Sequence, residues 1–140
     1  MIDALTSHLA ETGNHVNRLE QVFESIDKTA IAKKCEAMEG LIKEAEELME
    51  SCEAGAMCDA GIISAGQKVE HYEIASYGTL RQFAETLGLT EAVSLLEAKM
   101  NEEKAANEKI TEAAVSDINV QANEEAEGKK IQTQWLHKTF

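Results

Sequence analysis

Residues 67–80 read QKVEHYEIASYGTL and lie within a long segment whose apolar residues have helical spacing. The predicted inward face of this helix runs through this stretch and beyond it on both sides, and its residues are Ile62, Gly66, Val69, Leu80, Phe83 and Leu87. Glu70, Glu73 and Tyr77 are spaced so that they share this face. Because a buried carboxylate is unfavourable unless it is paired or bound to metal, these positions call for a functional explanation.

Three other segments have the same helical spacing. The predicted helices cover residues 2–24, 35–52, about 58–87 and 90–114, and Gly55 and Gly88 end the second and third. The inward stripe of the first helix is predicted to be Ile2, Leu5, Leu9, Thr12, Val16, Leu19 and Phe23. Four helices with short connections predict an all-α antiparallel bundle.

The composition excludes several classes of protein. The 140 residues include 26 Asp and Glu against 13 Lys and Arg and no proline, which gives a net charge of -13. A negative surface repels phosphate and anionic lipid, so nucleic-acid and membrane binding are disfavoured. No apolar run approaches ~18 residues and no signal peptide is recognisable, so we expect a cytoplasmic protein. The apolar pattern fades after Gln121, which predicts a helical domain over 1–122 and a tail over 123–140.

The three cysteines do not form a recognisable metal-binding or redox motif. Cys35, Cys52 and Cys58 are odd in number, and no CxxC pair or neighbouring Cys/His cluster is present in the sequence. We therefore expect thiols in a reducing compartment, with Cys35 and Cys52 pointing toward the core.

Polar residues also interrupt the apolar faces of two other helices. In the fourth helix Glu103 and Asn107 occupy successive core positions, and in the first Glu11 and His15 flank the apolar stripe at i and i+4. Carboxylates from three helices with a histidine among them suit divalent metals such as iron or manganese. The alternative is that each glutamate lies on the solvated flank of a slightly rotated stripe, which is the commoner situation for any single one.

The stretch 67–80, with KCEAMEGLI at 34–42 and the segments HLAET at 8–12 and RLEQVFE at 18–24, resembles the YciF/YciE family of ferritin-like bacterial stress proteins. The resemblance covers about residues 5–118. This family is similar to rubrerythrin-like four-helix bundles, whose di-iron or di-manganese site uses Glu followed by Tyr seven residues later, and Glu with His about one turn later. Glu70 and Tyr77 match the first spacing.

The resemblance implies a dinuclear iron or manganese centre that reacts with peroxide or oxygen in a bacterial stress response. The implied metal ligands are Glu11, His15, Glu70, Glu73 and Glu103, with Tyr77 as a hydrogen-bonding or redox-active neighbour. Glu11 with His15 and Glu103 with Asn107 both have a four-residue step in place of three, and the family often has an acid where Asn107 stands. The alternative function is therefore a non-catalytic stress or assembly protein without a competent centre, and whether the protein is an enzyme stays open.

The resemblance also implies an additional bundle helix with a further Glu ligand before the predicted first helix. Because this chain has no corresponding segment, we expect the monomer to expose part of its apolar seam. A homodimer or a higher homo-oligomer would cover that surface, as would the tail residues Trp135, Leu136 and Phe140. The alternative explanation of the missing helix is a trimmed or rearranged coding sequence with a degenerate site.

Overall fold

The computed structural model describes the backbone of residues 2–139 and the side chains of residues 6, 8, 9 and 12–129. The elements are α1 (Ile2–Ser25), α2 (Glu36–Ser51), α3 (Ala56–Thr86), α4 (Thr90–Ala113), a π-helical turn (Ala114–Ile118) and α5 (Asn119–Thr139). The predicted all-α bundle is confirmed, and the four predicted helices end within two residues of the observed bounds. None of the helices in the described chain combines the length and apolar composition that a membrane span requires.

The central helix of the bundle is α3, which packs against α2, α4 and α5, while α1 packs against α4. The inner face of α4 repeats at three- and four-residue steps: Ala92, Leu96, Lys99, Glu103, Ala106 and Ile110 are buried. Leu96 belongs to one apolar cluster with Ala84, and Ile110 to a second with Ile63. Lys99 and Glu103 lie between these clusters along α4, so the bundle has apolar ends and a polar middle.

Two glycines are required where the chain turns or where helices approach closely. Gly88 has a φ of 72°, and the following Leu89 N–H donates to the Ala84 carbonyl at 2.9 Å. This left-handed turn ends α3 as predicted. At Gly61 the Leu48 side chain comes within 3.0 Å of the place a Cβ would occupy, so the absence of a side chain lets α2 pack closely on α3.

α4, the π-helical turn and α5 form one continuous helix. Ile118, the last residue of the turn, packs against the cluster around Ile110. Ala122, in the first turn of α5, is buried. Glu125 Oε2 accepts a hydrogen bond from the Met57 N–H at 3.1 Å, so α5 caps the first turn of α3. The predicted boundary between residues 122 and 123 falls inside α5, and the division into domain and tail stays a prediction.

The predicted inward stripe of α1 is wrong at Leu9 and Val16. Leu9 and Val16 are 73% and 59% exposed, whereas His15 is 2% exposed and Val22 packs on the core. The buried face lies one residue earlier, a rotation of about 100°. It faces α4 because His15 pairs there with carboxylates.

The predicted inward positions at the end of α3 are also wrong. Leu80, Phe83 and Leu87 are 46%, 59% and 72% exposed, and Ala84 is buried in their place. The α4 helix packs on the Ala84 side of α3, so the three larger side chains point away from it.

The structure corrects the expectation for the cysteines. Cys52 and Cys58 form a disulfide, with their Cα atoms 5.5 Å apart, because the short loop between α2 and α3 brings them together. Cys35 is an exposed free thiol that does not point into the core, and it hydrogen-bonds with the Tyr72 hydroxyl at 3.0 Å.

Candidate metal centre

Three side chains from three helices meet in the polar middle of the bundle. They are His8 of α1, Glu70 of α3 and Glu103 of α4, and each offers one ligand atom within 4.8 Å of the others. We call these three residues the ligand group. His8 Nε2 lies 3.0 Å from Glu70 Oε1, and the two glutamates are 3% and 0% exposed.

The carboxylates of the ligand group are not satisfied by hydrogen bonds. In the described part of the chain, Glu70 Oε2 and both oxygens of Glu103 are buried without a hydrogen-bond partner. Buried polar atoms almost always have such partners, and orphaned carboxylate oxygens are especially unfavourable. Two carboxylates and an imidazole are a donor set that suits a divalent transition-metal ion, so the residues fit the metal that the family resemblance implies.

His15 lies beside the ligand group and connects it to an ion pair. Its Nε2 is 2.9 Å from Glu102 Oε2, and its Nδ1 is 3.1 Å from Glu103 Oε1 without the alignment of a hydrogen bond. Arg18 donates to both oxygens of Glu102, with Nη2 at 2.8 Å from Oε1. Burial, followed by the charge of Lys99, lowers the pKa of His15. A neutral imidazole donates through one nitrogen only, so His15 cannot satisfy both carboxylates.

Glu73, Tyr77 and Lys99 also lie in the polar middle. The Tyr77 hydroxyl donates to Glu73 Oε1 at 3.5 Å, and Lys99 Nζ lies 4.2 Å from the centre of the Tyr77 ring. Burial raises the pKa values of Glu73 and Tyr77 and lowers that of Lys99. The charges of Glu73 and Glu103 oppose the change at Lys99 and so favour its ammonium form.

Glu103 is the most perturbed carboxyl of this region. Burial, and then the negative charges of Glu73 and Glu70, raises its pKa to about 8. The ordinary value is 4.5, so near neutral pH this carboxyl competes for a proton unless another cation neutralises it.

The structure brings together four of the five predicted ligands: His15, Glu70, Glu73 and Glu103. The side chain of the fifth, Glu11, lies outside the described residues. His15 and Glu73 border the ligand group without belonging to it, so a role for either as a ligand stays a prediction. Asn107 lies one turn further along α4, and its Oδ1 is buried without a hydrogen-bond partner in the described chain.

The sequence interpretation missed His8 and Lys99. His8 stands seven residues before His15 and therefore on the same helical face. Lys99 stands between Leu96 and Glu103 at the three- and four-residue steps of the buried face. Strict use of that spacing would have found both.

Comparison with known proteins agrees with the resemblance seen in the sequence. Residues 1–123 match the family described as a domain of unknown function, DUF892. Protein YciF of Escherichia coli strain K12 is 48% identical over 124 residues, which cover 88% of this chain and 75% of YciF.

Two solved structures share the fold. The crystal structure of the E. coli stress protein YciF superposes with a TM-score of 0.79 at 48% identity and covers 84% of this chain and 74% of YciF. The structure of YcfI, a proposed structural protein from Rhodopseudomonas palustris, has a TM-score of 0.75 at 46% identity and covers 78% of this chain and 69% of YcfI.

Proposed function

Because this chain belongs to the DUF892 family and is a homologue of the stress protein YciF, we propose that it is a metal-binding stress protein. The ligand group of His8, Glu70 and Glu103 would hold a divalent transition-metal ion. The observation that supports this most strongly is the set of three carboxylate oxygens, on Glu70 and Glu103, that are buried without hydrogen-bond partners.

Iron or manganese is the metal that the family resemblance implies, and the donor set is compatible with both. Carboxylate oxygens suit hard divalent ions such as manganese, and an imidazole nitrogen suits iron. When bound, such an ion would supply redox chemistry toward peroxide or oxygen. The chain's own residues would position it: His8 through a ring nitrogen and the two glutamates through their free oxygens, while the Arg18–Glu102 pair fixes His15 beside Glu103.

The second candidate function is a non-catalytic structural role. YcfI, one of the similar structures, is a proposed structural protein. The specific observation in its favour is that Lys99 and a protonated Glu103 would neutralise much of the polar middle without any metal. In that case the polar middle would fix the alignment of the helices.

Metal analysis separates the two functions. Protein purified without chelator or affinity metal is dialysed against Mn(II), or anaerobically against Fe(II), and its metal content and thermal unfolding are measured. We expect bound metal and a raised Tm in the wild type, both lost in Glu70→Gln. Glu108→Gln, at an exposed position on α4, is the control and keeps both. Failure of the wild type to retain either metal would leave the structural role.

The exposed apolar side chains support the further proposal of a homodimer. Leu9, Val16, Phe83 and Leu87 are 59% to 73% exposed, and contact with a second copy of the chain would bury them. Light scattering at micromolar concentration would then give twice the 15.3 kDa of one chain. A mass of one chain would contradict the proposal. The cytoplasmic location also stays a prediction.

A further inference from the structure

Lys99 is an unusual residue to find in the middle of a bundle. It is 3% exposed, whereas lysine is almost never fully buried unless it is paired. Its ammonium lies 4.2 Å from the centre of the Tyr77 ring, a cation–π contact. The other described residues of this middle region that are buried to the same degree are His15, Glu70 and Glu103.

Lys99 lies among the residues of the polar middle that are outside the ligand group. Lys99 and Glu103 are four residues apart on the buried face of α4, and Tyr77, over which the ammonium lies, donates to Glu73. The charge of Lys99 therefore acts on Glu73 and Glu103, two of the carboxylates of the polar middle. The ligand group, by contrast, consists of His8, Glu70 and Glu103 and does not include Glu73.

The charges of the described side chains agree with this division. Three carboxylates (Glu70, Glu73 and Glu103) and one ammonium (Lys99) give a formal charge of -2 when the histidines are neutral. The bidentate pair of Arg18 and Glu102 contributes no net charge. One divalent ion neutralises this set, whereas two would leave a charge of +2 with Lys99 in place and of only +1 without it.

We infer that the Lys99 ammonium takes the place of a second cation, so that the site binds one divalent ion per chain and not two. This inference rests on the proposed metal-binding function, because it concerns the number of ions that the same site accepts. In this inference, Lys99 determines how many metal ions the site binds. Without it, Glu73 and Glu103 would be free to bind a second ion beside the first.

The test replaces Lys99 by methionine, which keeps the length of the side chain and removes its charge. Lys104→Met, at an exposed position on the same helix, is the matched control. Each protein is dialysed against Mn(II), the bound metal is counted by elemental analysis, and the electron paramagnetic resonance spectrum is recorded. We expect one ion per chain, with the spectrum of an isolated ion, in the wild type and Lys104→Met. Lys99→Met should bind twice as much metal and give the spectrum of an exchange-coupled pair.

The outcomes separate this inference from the function on which it rests. Two ions in the wild type, or one ion in folded Lys99→Met, would overturn the role of Lys99 and leave metal binding intact. No ion in any of the proteins would overturn the proposed function itself. Should Lys99→Met fail to give a helical circular dichroism spectrum, Lys99→Gln carries the same expectation, since it removes the charge but keeps a polar head.

Discussion

Replacing Glu103 by glutamine should stabilise the metal-free protein at alkaline pH. The substitution keeps the shape of a side chain that is 0% exposed and removes its negative charge. Among the described residues, the titratable and charged groups around Glu103 are His8, His15 and Arg18 from α1, Glu70, Glu73 and Tyr77 from α3, and Lys99 and Glu102 from α4. Burial, with the charges of Glu73 and Glu70, raises the pKa of Glu103 to about 8 from an ordinary 4.5.

The direction of the effect follows from proton linkage. The folded-state pKa of Glu103 lies above its unfolded value, so the folded state prefers the protonated carboxyl. The stability of the wild type should therefore fall as the pH rises from about 4.5 to about 8. At about 1.4 kcal/mol for each pH unit, the ionised carboxylate lowers the free energy of unfolding by at most ~5 kcal/mol.

Urea unfolding in the presence of a chelator measures this difference. The free energies of unfolding of the wild type and Glu103→Gln should agree near pH 5 and diverge toward pH 9, where the variant is the more stable by about 2–5 kcal/mol. Glu108→Gln is exposed and should follow the wild type. The lowered pKa values of His15 and Lys99 favour stability at higher pH, in the opposite sense, and both residues are kept in each protein. Parallel pH profiles for the wild type and Glu103→Gln would refute the reasoning.

Three more predictions concern packing and the free thiol. Gly61→Ala should lower the free energy of unfolding by about 1–3 kcal/mol in chemical unfolding, because the added Cβ meets the Leu48 side chain. Gly40→Ala should raise it by about 0.5–1 kcal/mol, because a Cβ at that position meets no other atom. Iodoacetamide should modify Cys35 alone in the non-reduced protein, because this thiol is exposed and the Tyr72 hydrogen bond lowers its pKa. Peptide mass spectrometry identifies the modified cysteines. Modification of all three cysteines would contradict the disulfide. Leu96→Ala should reduce the free energy of unfolding by about 2–5 kcal/mol, since the side chain is 4% exposed and its removal leaves a cavity in the core.

The helices were predictable from the sequence because their boundaries depend on local signals. Gly88 stops α3 through a left-handed turn, as the sequence predicted. The rotation of α1 was not predictable in the same way. Leu9 and Val16 are the obvious apolar stripe, but the side of a helix that is buried depends on its neighbours, and here His15 meets carboxylates of α4.

The acidic residues of the candidate site could be predicted from the sequence, but its buried lysine could not. Glu70 and Glu103 stand out as polar residues at core positions, and the structure buries both. Lys99 stands at an equally regular core position, but a lysine is normally assigned to the surface because it is so rarely buried. Only the packing of α3 against α4, which places Tyr77 beneath the ammonium, shows why this lysine lies inside.

Because of the π-helical turn, the continuous helix formed by α4 and α5 keeps its buried face toward the core on both sides of the turn. Ile110, Ala114, Ile118 and Ala122 follow one another at steps of four residues, and all of them lie toward the core. In an uninterrupted α-helix each such step would rotate the side chain by about 40°, so Ala122 would point away from α3. The wider turn takes up the extra residue and restores the helical phase. Deleting one residue from it would rotate everything beyond by about 100° and separate Glu125 from the start of α3, which makes the length of this turn a determinant of the fold.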